Sequence, residues 1–529
     1  MAEILPKKFE TIIVGAGAAG LTAAAYLAKA KKNVLLVEKE AQCGGLINSF
    51  VHNGYTFDGG IRALENAGVL FPMLNQLDID LDLVPNDVTV GIVDDVIALK
   101  DKNSLIDYQS LLNKYFPDEK DDVQKITAAM QKIAHYMDIQ YGINNPLFLD
   151  PKKDGKYFLT DVIPWMFKYA FTVNKVTKLN IPVRAYLENF TTNQALIDIV
   201  AQHFFTDTPA FFALSYLSLY LDYYYPKGGT GEFCKKLIHV IEKNGGQIQT
   251  STKIIKIDPA SKTIMDDHDN AFTYQKLIWA ADQVSFYRMI DMERISNKKA
   301  REQVIKQKAV LNTAKGNDSV LTTYIEVDLA PEYFSDIASS HFFYTPTVNG
   351  DSAAGPKPIR QTRKHQEAWL KVFLANTTYE IAIPVLRDDK LAPPGKTGLI
   401  VSVLFDYALT KEIAEEGWYE EFKLLTAKWM VENLNDHIFP GLKAAIEDTF
   451  TFTPLSIEER TGAFQGAITG WSFTNQVLPA ESRLVRIANA VRTPFSDIFQ
   501  AGMWSYSPSG LPISLITGKL ASDQALRRL

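Results

Sequence analysis

Cysteine is almost missing from this chain: Cys43 and Cys234 are its only two, far apart and outside any CxxC pattern. That scarcity argues against a disulfide framework and a cysteine metal centre, and it suits a reducing compartment. The eight histidines show neither HxxxH nor HExxH spacing, so no metal is expected. Long apolar runs are lacking too. No stretch reaches the roughly 18 apolar residues of a membrane-spanning helix, and residues 1–8 lack the charged-then-apolar order of a signal peptide. A cytoplasmic protein, at most lying on a membrane as a peripheral contact, is the expectation. There is no basic face either: 55 lysines and arginines against 61 aspartates and glutamates leave a net charge of −6, mixed along the chain. Nucleic acid is therefore not an expected partner.

What the chain does have is length and apolar content. Its 529 residues, 47% apolar and 11% aromatic, can bury a large core and should divide into about two or three domains. The most informative stretch is Thr11-Ile12-Ile13-Val14-Gly15-Ala16-Gly17-Ala18-Ala19-Gly20, followed by Asn33-Val34-Leu35-Leu36-Val37-Glu38. An apolar run, a glycine-spaced turn, an alanine-rich helix, a second apolar run and a terminal acid make the first half of a dinucleotide-binding βαβ unit. Gly15 permits the tight turn, Gly17 lets backbone N–H groups approach a pyrophosphate, and Gly20 lets helix and strand pack closely. Ala18 and Ala19 open the helix whose N-terminus would hold the anion. Glu38 is placed to accept hydrogen bonds from a ribose diol and would repel a ribose 2′-phosphate. A glycine-rich turn alone can merely bend a loop; here the flanking elements fall in the required order.

Paired glycines recur at Gly44-Gly45-Leu46 and at Phe57-Asp58-Gly59-Gly60-Ile61-Arg62. They read either as two ordinary turns or as backbone passing close to a flat ligand. Residues 103–225 are helical in pattern and strongly aromatic. After the turn Pro226-Lys227-Gly228-Gly229-Thr230-Gly231 come a helix over 233–244, a β segment over 247–257 and the run Leu277-Ile278-Trp279-Ala280-Ala281-Asp282. Strand-like runs at 320–327, 379–386 and 399–405 suggest a second sheet, and spacing of three and four from Leu424 to Ile438 predicts a helix stopped by Pro440-Gly441.

Taken in order, these blocks resemble the FAD-dependent phytoene desaturase, carotenoid isomerase and retinol saturase group within the amine-oxidase-like flavoproteins. The carriers are the GAGAAG turn with Glu38, Gly44-Gly45, the FDGG block, PKGGTGEF from Pro226, and the Trp279 to Asp282 block. Later ones are the Leu391-Ala392-Pro393-Pro394-Gly395-Lys396 turn, Thr453-Pro454, and Phe499-Gln500-Ala501-Gly502 with Ser509-Gly510-Leu511-Pro512. The resemblance implies an α/β protein: a Rossmann-like FAD-binding domain, a mixed-sheet substrate domain and an inserted helical region. The FAD-binding parts would be 1–75, 226–300 and 476–529; the substrate domain would be 76–225, with the aromatic insert, and 301–475.

FAD would lie with its adenine end on the first βαβ unit and against Ile254, and its reactive ring near Gly59, Gly60, Gly502 and the 502–512 stretch. Gly45, Ile61 and Ala281 would line its path. A helix starting near Leu511 and Pro512 would aim its N-terminus at the reduced ring. One departure stands out: relatives mostly carry arginine after the first glycine pair, where this chain has Leu46. Either Arg62 or Lys39 would then neutralise the pyrophosphate, or the cofactor would bind more loosely. Arginine at position 62 is itself unlike the desaturases.

A flavin carries the hard chemistry, so no catalytic triad is expected. Work at a C=C system would still need a proton donor or cation stabiliser near the ring, and Arg62, Glu65 and Tyr506 are the candidates. Each has a plainer reading: Arg62 paired with phosphate, Glu65 in a surface ion pair, Tyr506 as packing. The segment Tyr157 to Phe171, flanked by lysines, reads as a buried helix lining a substrate cavity or as a membrane contact, and the buried reading is preferred. The expected function is redox change or isomerisation at C=C bonds of a long apolar small molecule, such as a carotenoid, retinoid or unsaturated lipid. The rivals are an amine or amino-acid oxidase and a non-catalytic prenyl-binding or lipid-binding chaperone on the same fold.

Overall fold

The structure, a computed structural model, describes residues 7–527, so the leader reading falls mostly on residues 1–6, outside them. Two seven-stranded sheets organise the chain. In the first, the strand Lys7–Val14 lies between Val34–Val37 and Ala271–Trp279, all parallel. Gln247–Gln249 extends one edge and Ile498–Gln500 pairs with the end of Ala271–Trp279, again in parallel. An antiparallel meander through Thr263–Asp266 and Ile254–Asp258 completes it. Parallel strands covered by helices are buried on both faces, and both the first two runs, IIV and VLLV, are fully buried. The register sets Val14 level with Val37 and Trp279, and Trp279 level with Gln500. Four strand ends therefore stop at one line, followed by Gly15, Glu38, Ala280 and Ala501.

The helix Ala18–Lys29 buries nearly its whole alanine-rich surface. Its tight seat depends on glycine: a Cβ on Gly20 would fall 1.8 Å from the Gly15 carbonyl oxygen, and one on Gly518 would fall 2.4 Å from that of Ala19. The latter lets the C-terminal helix Leu511–Leu526 lie against the first helix, so the two ends of the chain share one core.

The second sheet runs in the order Ile446–Phe452, Ser319–Val327, Thr397–Phe405, Tyr379–Ala382, His341–Thr345, Val88–Ile92, Asp95–Leu99. Only the His341–Thr345 and Val88–Ile92 pair is parallel. The expected strand over 379–386 ends early, because Pro384 has no N–H for the ladder and starts a 3₁₀ turn. The β segment over 247–257 is two strands, one on each side of the sheet's centre, with Ser251 at φ +49° between them. The 104–220 region is helical throughout its long elements and packs its core against Val88, Val90 and Phe343 at one end of this sheet. The predicted late helix is Tyr419–His437.

Asp58 ties the two halves together. It ends the hairpin Ser49–His52 and Tyr55–Asp58, has no exposed surface, and accepts hydrogen bonds from Ser49 Oγ (2.8 Å), Tyr225 Oη (2.8 Å), and both Thr230 N (2.8 Å) and Oγ1 (2.9 Å). Its own carbonyl accepts from Arg62 and from Tyr324 in the second sheet. Replacing Asp58→Asn turns an acceptor-only group into one whose NH₂ must meet a donor. A loss of about 2–3 kcal/mol is expected, read as a lower urea midpoint; an unchanged midpoint would show that the hub adds no strength.

Candidate active site

One cavity of about 1110 Å³ begins where the parallel strands end and continues to one face of the second sheet. Its near end is mostly backbone. Gly17 caps the first helix with φ −76° and no side-chain bond, and a Cβ there would meet nothing within 4 Å. Gly510 likewise starts the C-terminal helix without a side-chain cap. The unpaired N–H groups of both helix starts open onto this space, and an extended anion fits such a cradle. Glu38 is held ready beside it, accepting from Ala16 N (2.7 Å) and Glu40 N (3.1 Å).

Of the residues singled out in the sequence, Gly15, Gly17, Ala18, Ala19, Glu38, Lys39, Gly45, Leu46, Gly59, Gly60, Ile61, Arg62, Glu65, Ile254, Ala281, Gly502 and Leu511 line this one cavity. Gly20, Tyr506 and Pro512 do not. Gly20 serves the helix–strand contact. Pro512 sits in the first turn of the last helix, where its missing N–H costs nothing. Tyr506 donates to the Glu481 carbonyl (3.2 Å) and is buried away from the cavity, which is the packing reading of that residue. The paired glycines also have an internal reason: a Cβ on Gly60 would lie 2.0 Å from the Leu46 carbonyl oxygen, whose acceptor binds Ile61 N at 2.9 Å.

Neither expected replacement for the missing arginine is free. Arg62, 5% exposed, donates to the carbonyls of Asp58 (2.7 Å) and Gly60 (2.6 Å) and to Ser402 Oγ (2.9 Å), so its charge points at the second sheet. Lys39 is bound to Glu40 and to the Glu459 carbonyl. Glu65 does face the cavity. Burial, with the negative charge of Asp222 adding to it, pushes its carboxyl up to about 7.

The far end carries a group that sequence reasoning missed. Thr322, Ser402, Glu380 and Phe343 stand opposite one another across four neighbouring strands and so share the cavity face. His341 lies beside them. Asn86 Nδ2 meets its Nδ1 at 2.9 Å, which leaves the ring proton on Nε2, directed at Glu380 Oε1 2.9 Å away. Burial lowers the imidazole's pKa against the pull of Glu380. Burial works to raise Glu380, but the His341 bond and the charges of Arg62 and Arg387 outweigh it and hold the carboxyl below the usual range. Arg387 is buried, donating to the carbonyls of Arg62 (2.9 Å) and Ser340 (2.6 Å) and stacking 4.2 Å from the Tyr225 ring.

Around this anion the walls are aromatic. Phe343 stacks on Tyr220 at 4.4 Å and on His341 at 4.9 Å, and meets His203, pushed down to about 3 by burial and therefore neutral, at a tilt at 5.7 Å. Two of the eight histidines thus form cavity wall. The only advance signal was the apolar company around them, His203-Phe204-Phe205 and His341-Phe342-Phe343-Tyr344. The 157–171 segment, by contrast, contributes nothing to the cavity. The preferred buried reading is overturned: Leu159, Met166, Phe167 and Phe171 are exposed, because only the opposite side of that helix packs on the protein.

A family described as an NAD(P)-binding Rossmann-like domain matches residues 13–77. The chain is similar along most of its length to an all-trans-retinol 13,14-reductase of Danio rerio, at 23% identity over 95% of this chain and 83% of that one. It is 22% identical to prolycopene isomerase 1 of an Oncidium hybrid cultivar, over 83% of this chain and 71% of that one. It is 21% identical to a 1-hydroxycarotenoid 3,4-desaturase of a Flavobacterium, over 97% and 98%. Among solved structures, a putrescine oxidase redesigned in its cofactor binding superposes with a TM-score of 0.63 at 13% identity, covering 99% of this chain and 100% of that one; at that identity the likeness is one of fold.

Two neighbouring glycines separate folding from binding. Gly17→Ala is expected to keep the parent's urea midpoint within about 0.5 kcal/mol while weakening dinucleotide binding about tenfold or more, titrated with FAD and with NAD. Gly20→Ala is expected not to accumulate as folded protein. Equal behaviour of the two variants would contradict this division.

Proposed function

We propose, taking as premise the chain's kinship with retinol reductases, prolycopene isomerases and carotenoid desaturases, that it is an FAD-dependent oxidoreductase. It acts at C=C bonds of a long apolar molecule such as a carotenoid, retinoid or unsaturated lipid, by saturation, desaturation or isomerisation. The observation that carries this reading is continuity: one cavity joins a dinucleotide cradle to an aromatic chamber holding a carboxylate, Glu380. In this reading segments 1–75, 226–300 and 476–529 hold the cofactor, and 76–225 and 301–475 hold the substrate.

Gly17, the helix start at Ala18 and Glu38 would hold the pyrophosphate and ribose, with Ile254 beside the adenine. Bound there, FAD would supply hydride or electron transfer. The protein's own groups do the rest. Phe343, Tyr220 and Tyr223 exclude water and align a flat chain. Glu65, with its raised pKa, holds or delivers the proton that a change at C=C requires. Glu380, fixed by His341, stabilises positive charge that develops along a conjugated chain. Arg62 is a positioning residue, holding the Gly60 carbonyl and Ser402 rather than touching a phosphate.

The test is an anaerobic incubation of FAD-loaded protein with carotenoids, retinol and unsaturated fatty acids, followed by chromatography of the products. A changed polyene is expected. Peroxide formation on adding amines, with every polyene untouched, would favour the amine oxidase. A colourless preparation that binds lipid without FAD would favour the chaperone.

The pH profile checks the role of Glu65. Its protonated form is full below about 7 and is lost as pH rises through that value, so a rate that uses it as acid falls on the alkaline side. Glu65→Gln is expected to remove that limb and slow turnover about 100-fold, with substrate KM little changed. An unaltered pH profile in the variant would dismiss Glu65 as the acid.

A further inference from the structure

The helix Ile163–Thr177 and the turns before it, from Gly155, are apolar on two sides. One side is accounted for: Val162, Tyr169, Thr172 and Val176 are buried, and Trp165 Nε1 donates to the Ile139 carbonyl of the long neighbouring helix. The other is bare. Leu159 is 70% exposed, Ile163 45%, Met166 57%, Phe167 66% and Phe171 78%. Steps of four, three, one and four residues place all five on one stripe. Large apolar side chains at that exposure, contiguous and in one row, are unlike the scattered exposed residues of an ordinary surface.

The charge around the stripe is the reverse of the chain's. The whole protein carries −6, yet residues 150–178 hold six lysines against three aspartates. Lys152, Lys153, Lys156, Lys168, Lys175 and Lys178 are all exposed, and none forms a salt bridge to a described residue. The helical period sets Lys168 and Lys175 on the flank between the stripe and the packed side; Lys168 is exposed there, and Lys175 Nζ lies 5.6 Å over the Tyr136 ring. At the helix's C-terminal end, Ser482 bonds Thr177 and Asn180 bonds the Ala480 carbonyl, which brings Val485, 61% exposed, into the same neighbourhood.

We infer that this stripe docks the protein on a lipid bilayer bearing anionic headgroups, with Leu159, Met166, Phe167 and Phe171 entering the acyl boundary and the lysines meeting the headgroups. An amphipathic helix lying in the interface plane has this distribution of apolar row and flanking cations. The docking stands on the face alone; that a substrate passes from the bilayer to the cavity rests on the polyene reading above.

Flotation of the full-length protein with phosphatidylcholine vesicles, with and without phosphatidylserine, tests the docking with no substrate present. Binding to the serine-containing vesicles is expected, weaker in high salt and weaker on phosphatidylcholine alone. Phe167→Glu with Phe171→Glu should lower partitioning at least tenfold. Lys168→Gln with Lys178→Gln should cost about fivefold per lysine, on the anionic vesicles only. Since all four side chains are exposed, an unchanged urea midpoint accompanies each variant. Absence of flotation, or parent-like flotation of the phenylalanine variant, overturns the proposal. A parent that self-associates through this face, with the phenylalanine variant monomeric and neither floating, assigns the face to a second copy and overturns it equally. Flotation without polyene turnover upholds the docking while the functional reading fails.

Discussion

A buried carboxylate sets the geometry on which the rest depends. Removing Asp58 from water costs on the order of several kcal/mol unless donors surround it, and the donors come from segments far apart in the chain: Ser49, Tyr225 and Thr230. The arrangement that satisfies the anion is also the one that holds the Gly59 and Gly60 loop against the Gly228 and Gly229 turn. Arg387 joins at one remove, stacking on the tyrosine that donates to Asp58 while its N–H groups hold the Arg62 and Ser340 carbonyls. An unsatisfied buried ion is so unfavourable that the loops cannot drift independently, and the boundary between the two sheets is fixed by polar chemistry as well as by packing.

The same cluster polarises the cavity. Two guanidiniums, Arg62 and Arg387, stand behind the second sheet's inner face with two carboxylates, Asp58 and Glu380. Asp58 is consumed by its donors, whereas Glu380 keeps a cavity-facing position with His341 as its fixed partner. At the other end the uncapped starts of two helices offer N–H groups. An anion is favoured at the helix starts and a developing positive charge at Glu380, in a space whose low polarity strengthens both effects.

Much of this was legible in the sequence where backbone does the work. A turn that needs φ +99° at Gly15, or a contact that admits no Cβ at Gly20, leaves a glycine in a recognisable place, and the strand, helix and acid around it follow by spacing. The second sheet left weaker marks. His341-Phe342-Phe343-Tyr344-Thr345 is buried on both faces, so it shows no clean alternation, and its partners are distant in sequence. Glu380 reads as an ordinary polar residue until the strand register puts it beside His341. Arg62 was noticed, but its direction was not readable, since a side chain that donates to nearby carbonyls looks the same in sequence as one that reaches a phosphate. The helix at 163–177 misleads for a related reason: a helix with two apolar sides reads as buried on both, and composition does not tell which of its faces the protein covers.

The two sheets therefore recognise in different ways. The first presents strand ends, where the chain turns and its backbone groups are exposed in register; the second presents a face, where alternate side chains project into one chamber. A backbone site tolerates few sequences, because its constraints are steric and local. A side-chain face tolerates many, because aromatic residues can be exchanged as long as volume and flatness persist. On this fold the nucleotide end is bound to look alike from one protein to the next, and the chamber end is where a chain acquires its own chemistry. Here that end holds a carboxylate, Glu380, held below the usual range by its bonded histidine and two arginines inside aromatic walls. Its two arginine countercharges are buried beside it, and it is the feature of this cavity that plain apolar packing would not produce.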